Sequence, residues 1–391
     1  MFENIIGQKR VVEELEKAVT QSNLPASLLF SGEHYSGKIS TALELARVLT
    51  CTGDKSWNCP CKSCESQRQL LHPYLQMLGS SLFMDEITAC ADKLKNEQPV
   101  YARYMFIRAV RKLLKRFDPV LWDGNEPKYK QVAGNAVKAE ELLREISIDG
   151  GITNAGKFGK TIDRIVSECQ KITDSYNSDN IPIDQIRRIN SWAHTASDSV
   201  KVIIFENADA MQESSRNSLL KLLEEPPSGC FLILTTSRKG AIIPTILSRV
   251  RMFNFYERSE DECSEVIRRI FREEKGEYRN IREYFLSRKA DTGLLRDMSA
   301  KFVAAILSDA KAANLGSIAD FKSLYYNKRL FILFIQECIE ILREAFIEGK
   351  IDVRRAEELN RLFARTLGQK EQYNQSTQLV LEALYYSAAS G

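Results

Sequence analysis

Short apolar runs and helical patterns alternate in the amino-terminal part of the chain. Apolar residues recur at helical spacing over residues 11–19, a short apolar run covers residues 27–30 before Gly32, and helical spacing returns over residues 38–49. A short apolar run that ends in a glycine turn is typical of a buried strand. The pattern therefore predicts a helix, a buried strand and a second helix.

The same alternation returns later in the chain. Two apolar runs at residues 202–205 and 231–234 flank a helical pattern at residues 213–223, and a third run covers residues 251–255. Buried strands that alternate with helices form a parallel sheet covered by those helices. We therefore predict an α/β domain over residues 1–256.

The rest of the chain is predicted to be helical. Ser259 and Glu262 have the spacing of a capping box, which marks the start of a helix. Two small helical domains are predicted at residues 257–305 and 306–391. Interrupted helical patterns at about residues 80–178 indicate a helical insert within the α/β domain.

Composition narrows the possible classes of protein. The chain has 391 residues, 44% of them hydrophobic, which is enough for two or three domains with their own cores. A formal charge of +3 excludes a protein that coats polyanions through its net charge. The amino terminus has no signal-like apolar segment, and no apolar run approaches the roughly 20 residues of a membrane span. We expect a cytoplasmic protein without membrane contact.

Residues 32–38 have the spacing of a phosphate-binding loop. They read Gly-Glu-His-Tyr-Ser-Gly-Lys between a predicted strand and a predicted helix. In such loops backbone N–H groups surround phosphate oxygens and a lysine neutralises their charge. The candidate nucleotide-binding residues are Gly32, Ser36, Gly37, Lys38 and Ile39. Ile39 stands where a hydroxyl would bind Mg²⁺, and its aliphatic side chain cannot do so.

A second altered motif follows the run at residues 202–205. Hydrolysis would need an Asp that holds Mg²⁺ and a Glu that activates water, but the chain has Glu206 and Asn207. Because Asn207 cannot accept a proton at neutral pH, we expect no intrinsic ATPase activity. Two interpretations remain for the loop: it keeps its shape without a ligand, or it holds ATP or ADP without hydrolysis.

Four of the nine cysteines lie within residues 51–64. These are Cys51, Cys59, Cys61 and Cys64. In a reducing compartment such a cluster favours a metal site over disulfides, and four thiolates suit tetrahedral Zn²⁺. We predict a structural zinc site, with His72 as a reserve ligand. The alternative is four ordinary thiols.

Residues 103–117 are predicted to form a basic amphipathic helix within the insert. Arg108, Arg111, Lys112 and Lys115 share one side of it. This side is interpreted either as a patch for DNA phosphates or an acidic partner, or as an ordinary solvated face.

These motifs, in this order, resemble the AAA+ subunits of bacterial DNA polymerase III clamp loaders. The resemblance also rests on Ile-Ile-Gly-Gln at residues 5–8, His-Pro at 72–73, residues 205–211, Leu-Leu-Lys-Leu-Leu-Glu-Glu-Pro-Pro at 219–227 and Leu-Ser-Arg at 247–249. It covers about residues 1–75 and 180–260, and residues 373–385 look like the last helix of the family's collar.

The resemblance implies an α/β P-loop (AAA+) domain with the insert, then an α-helical lid and an α-helical collar that mediates oligomerisation. In this family the Ser-Arg pair presents an arginine finger to ATP on a neighbouring subunit, and Arg249 stands at that position. The usual cysteine after it is Val250 here. Arg296 resembles the family's sensor-2 arginine, which reaches the nucleotide from the lid.

Altered ATPase motifs are similar to those of the family's non-motor, delta prime type of subunit. The resemblance implies a stator that joins gamma/tau and delta types of subunit in a hetero-oligomeric ring of the DNA-directed DNA polymerase holoenzyme. The ring loads a sliding clamp on primer-template DNA. The alternatives are an ATP-hydrolysing gamma/tau-type motor and an AAA+ protein that remodels DNA.

Overall fold

The structure is a computed structural model. It describes residues 1–79, 83–97, 100–122, 127–146, 155–176, 180–274, 278, 280–287, 292–307, 328–373 and 376–389. The chain divides into two compact units, Met1–Arg288 and Lys289–Gly391. The division into three domains at residues 256 and 305 stays a prediction, and residue 305 lies within a helix.

The first unit is built on a five-stranded parallel sheet. Its strands are β1 (Ser27–Ser31), β2 (Leu75–Leu78), β3 (Lys201–Phe205), β4 (Cys230–Thr236) and β5 (Arg251–Asn254). They lie in the order β2-β3-β4-β1-β5, and each pairing is parallel. The predicted α/β class is confirmed. The apolar pattern did not predict β2, because the polar residue Gln76 interrupts its four residues.

Helices cover the sheet on both faces. Outside the insert they are α1 (Lys9–Thr20), α2 (Lys38–Thr50), α3 (Lys62–Arg68), α8 (Ile183–His194), α9 (Glu213–Glu224), α10 (Pro244–Leu247), α11 (Glu260–Arg269) and α12 (Ile281–Ser287). Ser259 and Glu262 form the predicted capping box of α11.

Both faces of the sheet are buried in separate apolar cores. Leu28 and Phe30 of β1 belong to the core that includes α1 and α2, whereas Leu29 belongs to the core on the other face. Every residue of β1 and of β3 is buried. This two-sided burial explains why most residues of β1 and β3 are apolar.

The insert, which lies between β2 and α8, carries four long helices in its described residues. They are α4 (Met84–Glu97), α5 (Val100–Leu114), α6 (Pro127–Glu145) and α7 (Ala155–Ser175). Their apolar residues share one core with Leu29 and Phe205 of the sheet. The insert is therefore packed against the sheet.

Two basic residues of α5 are directed into the insert. Arg111 forms an ion pair with Glu140 at 2.9 Å, and Lys112 forms one with Glu86 at 2.6 Å; both basic side chains are only 10% exposed. For these two residues both sequence interpretations, the phosphate-binding patch and the solvated face, are wrong. Helical spacing shows which residues share a side, but the packing of α4 and α6 decides what that side meets.

The second unit is helical throughout its described part. Its helices are α13 (Thr292–Leu307), α14 (Lys328–Ile347), α15 (Val353–Tyr373) and α16 (Thr377–Ala389). They share a core that includes Phe302, Phe334 and Phe363. Across the described residues of both units, none of the helices has the length and apolar character needed to span a bilayer.

Candidate functional site

The phosphate-loop residues connect β1 to α2. Gly37 precedes the helix with a φ of 101°, a conformation that glycine adopts without strain. Tyr35 has a φ of 61°, although an aromatic residue rarely adopts this left-handed conformation. A Cβ at Gly32 would overlap the carbonyl oxygen of Phe255. Backbone conformation and close packing therefore account for both glycines.

The ammonium group of Lys38 is hydrogen-bonded within the phosphate loop. Its Nζ donates hydrogen bonds of 2.6 Å to the carbonyl oxygens of Gly32 and Glu33 and lies 3.5 Å from Ser36 Oγ. Burial lowers the pKa of Lys38 to about 8, and the nearby carboxylate of Glu33 opposes this effect. The buried ammonium group would favour an anionic ligand that restores its charge balance.

The positions expected to hold Mg²⁺ do not fit the metal. Ile39 is half-buried against the core beside α1 and offers no oxygen. Glu206 is 1% exposed and forms a buried ion pair with Arg116 of the insert. A carboxylate already paired with a guanidinium is a poor ligand for a divalent cation.

Asn207 occupies the position expected for the residue that activates water. Its φ is 50°, and its backbone N–H donates to Thr235 Oγ1 at 3.4 Å. A carboxamide in this place supplies no base for hydrolysis.

Arg258, which the sequence patterns did not single out, lies against the phosphate loop. Its Nη1 donates to the carbonyl oxygen of Tyr35, and its Nε and Nη2 donate to that of Ile6 at 3.3 and 3.2 Å. The guanidinium leaves no room for a Cβ at Gly37. Burial lowers the pKa of Arg258. No sequence spacing links residues 6 and 258, so only the fold reveals this contact.

The four clustered cysteines converge between the end of α2 and the first turn of α3, to which Cys64 belongs. Their sulfur atoms all lie within 4.8 Å of one another, with Cys51 Sγ 3.6 Å from Cys59 Sγ and 3.9 Å from Cys61 Sγ. Tetrahedral zinc with Zn–S bonds of about 2.3 Å would separate its sulfur ligands by about 3.8 Å. The cluster could therefore hold a structural metal, and the separation of the Cys51 and Cys59 sulfur atoms is close to the expected distance.

Two sulfur atoms of the cluster accept hydrogen bonds from backbone N–H groups. Cys61 Sγ accepts the backbone N–H of Cys64 at 3.4 Å, and Cys51 Sγ accepts that of Gly53 at 3.3 Å. Burial tends to raise the pKa of Cys61, but hydrogen bonds from Cys64 and Thr52 outweigh it and lower this pKa to about 5. These hydrogen bonds favour the thiolate form of Cys61, which is the form that binds metals.

His72, the predicted reserve ligand, is engaged elsewhere. Its Nδ1 accepts the backbone N–H of Tyr74 at 3.2 Å, and its Nε2 lies 3.1 Å from Ser63 Oγ. That hydroxyl group donates to the carbonyl oxygen of Thr50 at 2.7 Å. These contacts use both ring nitrogens outside the four-cysteine cluster.

We expect His72 to make the fold sensitive to acid. Burial, together with the nearby charge of Lys115, lowers its pKa from 6.5 to about 4, so the unfolded chain binds the extra proton first. This contribution to stability is complete above pH 6.5 and is lost as the pH falls towards 4. Relative to His72→Gln, the wild-type free energy of unfolding should fall by up to about 3 kcal/mol over this interval. Urea unfolding across the pH series measures it, and parallel profiles would contradict it.

Arg249 follows α10 on the surface of the first unit. Its Nη2 lies 2.6 Å from a carboxylate oxygen of Glu224, at the end of α9, and its Nη1 donates to the carbonyl oxygen of Thr245 at 2.8 Å. The Arg249 side chain is 32% exposed. Its trans role stays a prediction, but the structure leaves the guanidinium at the surface.

Arg296, the predicted sensor-2 residue, belongs to the second unit. Its side chain is 51% exposed, and its guanidinium lies 3.4 Å from the carboxylate of Glu344 and 3.8 Å from that of Glu337, both of α14. Contact with a nucleotide stays a prediction.

Comparison with known proteins supports the family that the sequence motifs predict. The family described as DNA polymerase III, delta subunit, matches residues 7–114 and 152–259, more than half of the chain. DNA polymerase III subunit delta' of Haemophilus influenzae is 32% identical over 80 residues, covering 20% of this chain and 24% of that protein. DNA polymerase III subunit tau of Bacillus subtilis is 27% identical over 207 residues, covering 49% and 37%.

A solved structure of a DNA polymerase III gamma subunit-related protein from Thermotoga maritima is 19% identical, with a TM-score of 0.34, and covers 55% of this chain and 81% of that one. A TM-score this low does not establish a shared fold. The matches span less than two fifths of the two curated relatives. The family match, which covers both the loop and the Arg249 region, confirms the predicted family: the chain belongs to the bacterial clamp-loader family of DNA polymerase III delta subunits.

Proposed function

We propose that the chain is a non-motor subunit, of the delta prime type, in the clamp-loader complex of DNA polymerase III. Its first unit is an AAA+ domain that presents Arg249 to ATP on a neighbouring subunit. The observation that carries the proposal concerns the chain's own nucleotide site. There the carboxylate of Glu206 already forms an ion pair with Arg116. Arg249 meanwhile stands at the surface, where a neighbouring subunit could approach it.

Chemistry explains how the chain could lose hydrolysis at its own site and still supply an arginine to a neighbouring site. Hydrolysis of a nucleotide needs a metal that bridges its phosphates and a group that orients water. Ile39, Glu206 and Asn207 supply neither. A guanidinium given in trans needs only a fixed, planar cation at an interface, and arginine meets that requirement.

We propose that the partners are clamp-loader subunits of the gamma/tau and delta types, arranged with this chain in a cytoplasmic ring. The second unit, with its apolar helical core, would supply the collar of that ring. The sliding clamp and primer-template DNA would be reached through the assembled complex. The relatives named as delta' and tau support this assignment.

Two ligands are proposed for the chain itself. Zn²⁺ would bind Cys51, Cys59, Cys61 and Cys64 and stabilise the segment between α2 and α3. All four positions of a tetrahedral metal would then be filled, so the role is structural. Any ATP or ADP held at Lys38 would remain unhydrolysed, with Arg258 beside the loop.

Turnover by the isolated chain tests the proposal. With ATP and Mg²⁺, we expect the purified chain to release phosphate at the same background rate as its Lys38→Ala variant, because the metal ligand and the base are both replaced. Steady-state phosphate release measures this. Turnover that disappears in Lys38→Ala would instead identify a motor subunit of the gamma/tau type.

A further inference from the structure

The insert places an arginine in the interior of the first unit. Arg116 lies in the turn that follows α5 and is 3% exposed. Its guanidinium forms an ion pair with the carboxylate of Glu206, which directly follows β3. The two residues are 90 positions apart in the chain. The insert therefore supplies the cation that faces the only carboxylate in the altered Glu206-Asn207 motif.

Surrounding contacts hold both partners in place. The indole N–H of Trp122 donates to the carbonyl oxygen of Arg116 at 2.8 Å, and the guanidinium lies 5.4 Å from the ring centre of Phe83. On the other side, a Cβ at Gly79 would lie only 2.5 Å from the Cβ of Glu206. Both side chains are almost fully shielded from water, with exposures of 2% for Arg116 and 1% for Glu206.

The carboxylate of Glu206 is the main group that stabilises the buried positive charge of Arg116. Among the described residues, its Nε and Nη1 atoms find no hydrogen-bond partner. Burial lowers the pKa of Arg116, and the charge of Glu206 opposes that effect. A buried ion left without its partner is strongly destabilising, whereas the intact pair is tolerated.

We propose that Arg116 is a built-in cation that replaces the divalent metal at Glu206. The guanidinium competes with Mg²⁺ for the same carboxylate and, unlike the metal, cannot dissociate. The insert is thereby an integral part of the altered nucleotide site and keeps that site closed to divalent cations. This role rests on the same ion pair as the proposed non-motor function, but it does not depend on the proposed trans function of Arg249.

A double-mutant cycle tests the coupling. Arg116→Met and Glu206→Gln should each lower the melting temperature by about 10 °C, because each leaves a buried charge or an unmatched group. In the Glu206→Gln background, Arg116→Met should have a much smaller effect. Arg144→Met is the matched control, since Arg144 is an exposed arginine of the same insert, and its effect should be additive with Glu206→Gln. Additive effects of Arg116→Met and Glu206→Gln would overturn the proposal.

Solubility provides a second readout if a single variant does not fold. Recovery of soluble protein in the Arg116→Met/Glu206→Gln double variant, when Arg116→Met alone is insoluble, supports the coupling. An equally insoluble double variant overturns it.

Metal binding gives an independent measurement. We expect the wild-type protein and its Glu206→Gln variant to bind Mn²⁺ equally weakly, as followed by the electron paramagnetic resonance signal of the free ion. Mn²⁺ binding by the wild-type protein that Glu206→Gln removes would show that the carboxylate remains open to metals. That result would also overturn the proposal, whatever the outcome for Arg249.

Discussion

Replacing Arg249 by alanine should lower ATP turnover by about 10³-fold or more at the one site of a reconstituted clamp-loader complex that receives the finger. The guanidinium stabilises the negative charge that develops as the terminal phosphate is transferred, a role that needs a fixed, planar cation. Turnover is measured on the complete complex with saturating ATP, sliding clamp and primer-template DNA. The loss should affect only the site that receives the finger.

The same substitution should leave the chain folded. Arg249 and Glu224 are 32% and 47% exposed, and exposed ion pairs contribute about 0–1 kcal/mol to stability. The Arg249→Ala variant should therefore melt within a few degrees of the wild-type protein and assemble into the complex normally.

Three matched variants make the result specific. Arg251→Ala removes another surface arginine, one that lies over the ring of Phe253, and should preserve turnover. Arg249→Lys should not restore activity, because an ammonium lacks the planar, forked geometry of a guanidinium. Glu224→Gln releases Arg249 from its ion pair and should retain activity. Full turnover in the complex containing Arg249→Ala would refute the trans role.

Removing the metal from the cysteine cluster should be the most damaging change to the fold. A ligand that binds only the native state, at a thousandfold excess over its Kd, stabilises that state by about 4 kcal/mol, and structural zinc commonly binds more tightly. We expect Cys64→Ser to lose zinc and to lower the free energy of unfolding by at least this amount. Cys64 is fully buried and its sulfur accepts a hydrogen bond from Arg47 at 3.0 Å.

Zinc content and unfolding are measured on the same preparations. Elemental analysis should find about one zinc per wild-type chain, and a strong chelator should reproduce the destabilisation seen in Cys64→Ser. Cys59→Ser should behave like Cys64→Ser if all four sulfurs bind the ion. Cys90→Ser is the control, because Cys90 is a buried cysteine of the insert core and should affect stability but not zinc content. Equal zinc content in all these variants would exclude the four-cysteine site.

Local sequence patterns predicted most of the sheet and the chemistry of its altered motifs. Four of the five strands were predicted: β1, β3 and β4 because buried parallel strands are nearly unbroken apolar runs, and β5, which is largely exposed, because a short run at residues 251–255 would complete the sheet. The spacing of Gly32, Gly37 and Lys38 between a strand and a helix predicted the loop, although the close packing of Gly32 against Phe255 depends on the fold. β2 escaped prediction, since its four residues include Gln76, and only pairing with β3 defines it as a strand.

Charge partners were the part that sequence patterns could not predict. Arg111 and Lys112 lie on the predicted side of α5, but helical spacing does not reveal that Glu140 and Glu86 approach them from other helices. Arg249 was predicted from its motif, yet its contact with Glu224 depends on how the end of α9 meets α10. These ion pairs depend on how helices pack against each other, and no short sequence pattern predicts that packing.

The sequence alone determined which chemical groups are missing. Ile39 has no oxygen for a metal and Asn207 cannot accept a proton, whatever fold surrounds them. The tertiary structure decided how the remaining groups are used. It brought Arg116 to Glu206 across 90 residues and Arg258 to the carbonyl oxygen of Ile6 across 252 residues. Chemical capacity belongs to each residue, whereas charge pairing in a low-dielectric interior depends on distances that only the packed chain sets.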